Sequence, residues 1–199
     1  YGARMAEPTS SRRLRESLLM QAVGAARSGD IKTAIALAER GLIAGDDDRS
    51  PFHAFLGMIY ARTGDPARAA EHLKCAHDAH PDDITVACNL ISVLLEDGRD
   101  EDAYSIATEK LAHTDAGLRI ARYRGFLAQK LEKFEAAVDA YSIVLTKAPD
   151  DFDCLNNFGN AKAGLGDHAA AVQALKRAVA LDPRAAPTRL NLASALIAL

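Results

Sequence analysis

Asn89, Asn157 and Asn191 lie on one 34-residue grid, with Phe55 and Tyr123 at the other grid points. A carboxamide carries both a donor and an acceptor, so it can pair with the N–H and C=O of an extended peptide. Each such bond is worth ~0.5–1.5 kcal/mol, and three together amount to roughly tenfold to a thousandfold in affinity. Asparagine is also ordinary on polar helix faces, and both readings stay open. Arg119, Arg122 and Arg124 concentrate positive charge in one stretch. Arg119 and Arg122, three apart, share a helix face and can receive an acidic group of a partner. The competing reading is solvated arginines, or arginines paired with nearby Asp and Glu.

Other reactive side chains do not assemble into a site. His77 and His80 can share one helix face, and His72 and Cys75 another, but four ligands do not converge as a zinc site requires. These histidines are read as solvent-facing, and neither a metal nor a cofactor is expected. Cys88 has no histidine predictably beside it, as a thiol nucleophile would need. Phosphate-loop, nucleophile-elbow and H-E-x-x-H motifs are missing. Asp46, Asp47 and Asp48 form a loop charge run without the remaining EF-hand spacing, and are read as solvated. No catalytic residue is assigned, and the chain is not expected to be an enzyme.

The 199-residue chain is 49% hydrophobic and 26% charged, enough for a substantial core. A net charge of -3, a pI near 6.1 and the absence of Trp argue against nucleic acid as a partner. Cys75, Cys88 and Cys154 are an odd set, read as reduced thiols, so a cytoplasmic location is expected. The sequence has no apolar run approaching the ~20 residues of a membrane span, and the stretch before Arg15 lacks the apolar core of a secretory signal. No membrane partner is expected.

The elements that would position these residues follow from the repeat. Pro81, Pro149 and Pro183 share the 34-residue period, with Asp115 between the first two; Gly64, Gly98 and Gly166 share it at another position, with Glu132 in the gap and Gly29 one residue out of step. Units therefore start near Arg15, Ser50, Ile84, Leu118, Phe152 and Ala186, the last cut short, after a polar arm over residues 1–14. The solenoid is assigned to residues 15–199. Each unit reads as helix, turn, helix, turn. In the second, Ser50 is expected to cap a helix over Pro51–Arg62, Gly64-Asp65 to break it, and Pro66 to open a helix that stops before Pro81. Phe55, Leu56 and Ile59, then Ala69, Leu73 and Ala76, follow helical spacing. One such pair cannot bury its own apolar face, so the units must stack.

His53, Leu56, Gly57, Tyr60, Ala69, Leu73 and Pro81 stand at the spacing of the tetratricopeptide signature. The fifth unit carries Gly159, Ala171 and Pro183 there, the fourth Gly125, Ala137, Tyr141 and Pro149, and the third only Leu90 and Ala103. The chain thus resembles the tetratricopeptide repeat family over about Arg15–Leu199. That resemblance implies an all-α fold, a right-handed α-α superhelix of about five and a half helix-turn-helix repeats, with the first helix of each unit on a concave face. It would place Cys88, Asn89 and Ser92 in that groove. Arg119, Arg122, Tyr123, Phe126, Gln129, Asn156, Asn157, Asn160, Asn191 and Ser194 would follow. The asparagine series looks like the peptide-holding ladder of O-linked N-acetylglucosamine transferases. It does not resemble the carboxylate clamp of chaperone-binding repeats, because Ala54, Met58 and Tyr123 occupy clamp positions around Asn89.

The resemblance implies a non-catalytic module binding a protein or peptide in its groove. Two alternatives stand beside it. One is the substrate-docking region of a larger bacterial enzyme, such as a glycosyltransferase or sulfotransferase. The other is a self-assembling scaffold, because Leu190, Leu192, Ala193, Leu196 and Leu199 form an apolar set with no following helix to cover it.

Overall fold

The structure is a computed structural model that describes residues 10–44 and 48–199. Among the described residues there are twelve α-helices and no strand. The chain divides into two compact units, one ending at Asp97 and the other starting at Gly98.

The first unit holds α1 (Ser10–Arg27), α2 (Ile31–Ile43), α3 (Ser50–Arg62), α4 (Pro66–Ala79) and α5 (Ile84–Glu96). α1 pairs with α2 and α3 with α4; α2–α3 and α4–α5 contacts stack one hairpin on the next. Leu56, Ile59 and Tyr60 of α3 and Ala69, Leu73 and Ala76 of α4 recur every three or four residues, and all are buried. The two helices meet closely because Gly57 has no side chain: a Cβ there would lie 2.5 Å from Leu73 Cγ. Gly29 and Gly64 end α1 and α3 at φ of 86° and 80°. The aspartates that follow them, Asp30 and Asp65, each accept a backbone N–H at 3.1 Å, from Thr33 and Arg68. A Gly-Asp pair thus ends one helix and caps the next.

Three expectations are corrected in this unit. Ser50 does not cap α3: it is the first residue of that helix, and its N–H donates to Asp48 Oδ1 at 2.9 Å, so the longer carboxylate reaches the helix start instead. Asp48 is therefore not merely a solvated loop charge. Burial raises its pKa, but bonds from His80 Nε2 and Ser50 outweigh that and bring the carboxyl down to about 2. Asp46 and Asp47 lie outside the described residues. Third, α1 begins at Ser10, inside the stretch read as a polar arm, whose first nine residues also lie outside the described ones.

The second unit holds α6 (Asp100–Ile106), α7 (Glu109–Thr114), α8 (Arg119–Lys130), α9 (Phe134–Lys147), α10 (Phe152–Gly164), α11 (His168–Leu181) and α12 (Ala186–Ile197). α8–α9 and α10–α11 are hairpins, stacked through α9–α10 and α11–α12. Where one second helix was expected in the third repeat, there are two short ones. Arg124 Nη1 donates to the Ala107 carbonyl at 2.9 Å, and Thr108 Oγ1 accepts the Leu111 N–H at 3.3 Å. The break is thus satisfied on both sides, as a buried helix end requires.

Candidate interaction surface

In the second unit the first helices of the repeats are α8, α10 and α12. Asp151 precedes α10 and caps it, accepting the Cys154 N–H at 2.9 Å. This fixes the start of α10 and, one turn on, places Asn156, Asn157 and Asn160, all half-buried. Asn191 comes from the equivalent turn of α12. Its Nδ2 donates to Asn156 Oδ1 at 3.1 Å, and Asn156 Nδ2 donates to Asn157 Oδ1 at 3.2 Å. The amides on the two helices are joined in series through Asn156, a residue off the 34-residue grid. Each carboxamide offers more donors and acceptors than this chain uses. The Tyr141 hydroxyl donates to Gln129 Oε1 at 3.5 Å, and burial pushes its pKa up.

On α8 the arginines part company. Arg122 Nη2 bonds Asp151 Oδ2 at 2.7 Å, and Nη1 lies 3.2 Å from Cys154 Sγ. The Arg122 guanidinium, with smaller help from the Cys154 backbone N–H, holds the Asp151 carboxyl at about 2 despite its burial. Arg124 points elsewhere, to the Ala107 carbonyl and over the Tyr104 ring at 5.0 Å. Arg119 stays exposed, its Nε 4.0 Å from buried Asp115. Tyr123 is half-buried, and Phe126 keeps 48% of its surface exposed. Ser194 of α12 is exposed and Gln129 of α8 half-buried.

In the first unit Asn89 and Ser92 on α5 are half-buried. Cys88 is a correction: at 5% exposure it belongs to the core and does not open onto the face. Between α1 and α3, which also begin repeats, runs a groove of about 490 Å³ lined by Leu19, Val23, Phe55 and Met58 among others.

The solvent-facing reading of the histidines holds for His80 alone. His72 is half-buried, its Nδ1 3.0 Å from His53 Nδ1, with the Tyr60 ring stacked on it at 5.5 Å. His77 is buried, because α4 turns its residue-77 side into the core with Leu73 and Ala76. Among the described residues no three His, Cys, Asp or Glu side chains come together as a metal site would need.

The family model described as tetratricopeptide repeat matches residues 19–84, 124–186 and 156–199. The chain belongs to the tetratricopeptide repeat family. No curated protein matches it. Among solved structures it is similar to MamA of strain AMB-1, with a TM-score of 0.70 at 22% identity over 86% of this chain and 93% of that one. MamA of strain MSR-1 gives 0.65 at 23% identity, covering 86% and 98%. MamA of Desulfovibrio magneticus RS-1 gives 0.66 at 19%, covering 77% and 86%. At these identities what is shared is the fold. As a tetratricopeptide repeat protein the chain is an interaction module, and none of its described helices is long and apolar enough to cross a membrane.

Two features of this tetratricopeptide chain escaped the sequence reading. The α1–α3 groove was missed because the loop insertion before Ser50 puts the first repeat out of register. The spacing of Leu19, Val23 and Ala26 was the available signal. The His53–His72 contact joins two helices of one repeat, a separation that within-helix spacing does not reveal.

Proposed function

We propose that this chain is a non-catalytic module that holds an extended segment of a partner protein against the first-helix faces of its repeats. The observation that carries this reading is the amide series Asn191–Asn156–Asn157, which spans two successive first helices. Carboxamides with donors and acceptors to spare at that spacing suit a peptide backbone, which presents an N–H and a C=O at every residue. Phe126, exposed on the neighbouring α8, supplies an apolar surface for a side chain, and Arg119 a positive charge. Asn89, in the other unit, contributes the same chemistry separately.

An array of overlapping host-protein peptides, probed with the wild type and with an Asn89, Asn157, Asn191→Ala triple variant, tests this. Loss of roughly tenfold or more in affinity at unchanged helix content is expected, from ~0.5–1.5 kcal/mol per bond. Unchanged binding by the variant defeats the role of the asparagines.

A second reading, self-assembly, is favoured by α12. Leu190 and Ile197 are 69% and 87% exposed there. Apolar side chains this open favour association between copies. Light scattering across a concentration series is expected to show growing mass, suppressed by Ile197→Lys. A constant monomer mass excludes it.

A further inference from the structure

The groove between α1 and α3 differs in character from the asparagine face. Its walls are apolar: Leu19 and Val23 on one side, Phe55 and Met58 on the other, and Met58 is 54% exposed. Phe55 stands at the grid point that Asn157 and Asn191 occupy in their own repeats, so this repeat offers an aromatic ring where the others offer an amide. One end of the groove is basic. Arg27 and Arg62 are the last residues of α1 and α3, both line the groove, and both are exposed. Neither has an ion-pair partner among the described residues, whereas Arg68, Arg99, Arg122 and Arg177 all do.

We propose that this groove docks a partner segment carrying an apolar anchor residue immediately followed by acidic residues. The anchor lies between Phe55 and Met58 on one wall and Leu19 and Val23 on the other. The carboxylates meet the guanidinium groups of Arg27 and Arg62, which suit planar, bidentate pairing. The apolar walls supply sequence-independent affinity, and the two arginines set which flanking residues are accepted. The proposal rests on taking the first-helix faces as the interaction surface, but it uses residues of the first unit alone.

The probes are three acetylated, amidated tetrapeptides: Leu-Phe-Asp-Glu, Leu-Phe-Asn-Gln and Leu-Phe-Lys-Lys. Each is titrated into the full chain while the methyl NMR signals of Leu19, Val23 and Met58 are followed. The acidic peptide is expected to move these signals and to bind about threefold to tenfold more tightly than the neutral one, the size set by two exposed ion pairs. The Arg27→Glu, Arg62→Glu double variant is expected to prefer the lysine peptide. Equal affinity for all three peptides overturns the proposal, as do shifts confined to other helices. It is also overturned if the same methyl signals move with protein concentration alone, which would mean a second copy fills the groove. The asparagine triple variant is expected to keep this binding, so failure of one reading leaves the other visible.

Discussion

The Nδ1 atoms of His53 on α3 and His72 on α4 lie 3.0 Å apart, so one ring donates and the other accepts. Two protonated rings are both donors, and the bond survives only while one of them is neutral. Tyr60 stacks on His72, and the Arg68 guanidinium lies over the Tyr60 ring at 4.4 Å from its centroid. The pair thus lies half-buried within one hairpin. Burial lowers the pKa of both histidines. The His72 and Arg49 charges push His53 further down; at His72 the carboxylates of Glu71 and Glu39 oppose the fall, while Arg68 adds to it.

Unfolded imidazoles titrate near 6.5, above the folded values, so the unfolded chain binds more protons in this range. Stability is full above that pH and is lost as pH falls through the folded values. Buried His77, also lowered by burial, adds to the same slope. Thermal melts from about pH 8 to about pH 5 are expected to show a falling Tm. In His72→Phe, which keeps a ring against Tyr60, the decline should be shallower. A variant with the wild-type slope would exclude the pair as its source.

Asp151 performs two tasks, capping α10 and pairing with Arg122. Arg122 is the larger cause of the lowered carboxyl pKa, but it is 40% exposed, so water screens what the pair adds to stability and the cap is expected to add more. Asp151→Ala is expected to cost about 1–2 kcal/mol and Arg122→Ala less than about 1 kcal/mol in urea denaturation. The part owed to the Asp151 carboxylate is present above pH 3.8 and fades as the pH falls toward its folded value of about 2. Equal costs for the two variants would show that the ion pair, not the cap, dominates.

The glycines of the grid were legible as helix ends, because Gly29, Gly64, Gly98 and Gly166 all adopt the positive φ that such a turn needs and few other residues supply it. The grid did not show the break at Ala107-Thr108, since the carbonyl freed there is satisfied by Arg124 from another helix. Site residues were less legible for the same reason. Periodicity places Arg122 and Asn156 on a face, but whether each side chain turns to solvent or to Asp151 and Asn191 depends on contacts between helices. Arg122 was legible as a charge and not as a partner already taken.

Close packing of helices in a hairpin gives a sharper test. At Gly159 an added Cβ would sit 2.6 Å from Leu175 Cγ and 3.3 Å from the Ala171 carbonyl oxygen, a backbone atom that cannot rotate away. Gly159→Ala is expected to destabilise by about 1–3 kcal/mol. Gly24, exposed in the last turn of α1, has nothing within 4 Å of its Cβ position. Gly24→Ala is expected to stabilise by about 0.5–1 kcal/mol, through a less free unfolded chain. Chemical denaturation of both variants checks the pair, and the same sign at both sites would contradict it.

Glu132 occupies the place that Gly29, Gly64, Gly98 and Gly166 hold in the other repeats, and it adopts the same left-handed backbone, with φ of 57°. The reason is the turn itself. The Glu132 N–H reaches the Gln129 carbonyl at 3.1 Å, and the Lys133 N–H reaches the Ala128 carbonyl at 2.8 Å, just as Gly64 and Asp65 reach Ala61 and Tyr60. Those bonds require the left-handed residue whatever its side chain, and a Cβ there is strained. Lys133 replaces the capping aspartate and is held instead over the Tyr104 ring at 4.3 Å and against Glu101 at 3.2 Å. Changing it would remove those contacts, whereas the Glu132 side chain is exposed. Glu132→Gly is therefore expected to raise stability by about 0.5–1 kcal/mol, the strain relieved exceeding the added freedom of the unfolded chain. Urea denaturation with an unchanged slope and a raised midpoint is the expected result. A lowered midpoint would mean that the left-handed turn carries no strain worth relieving.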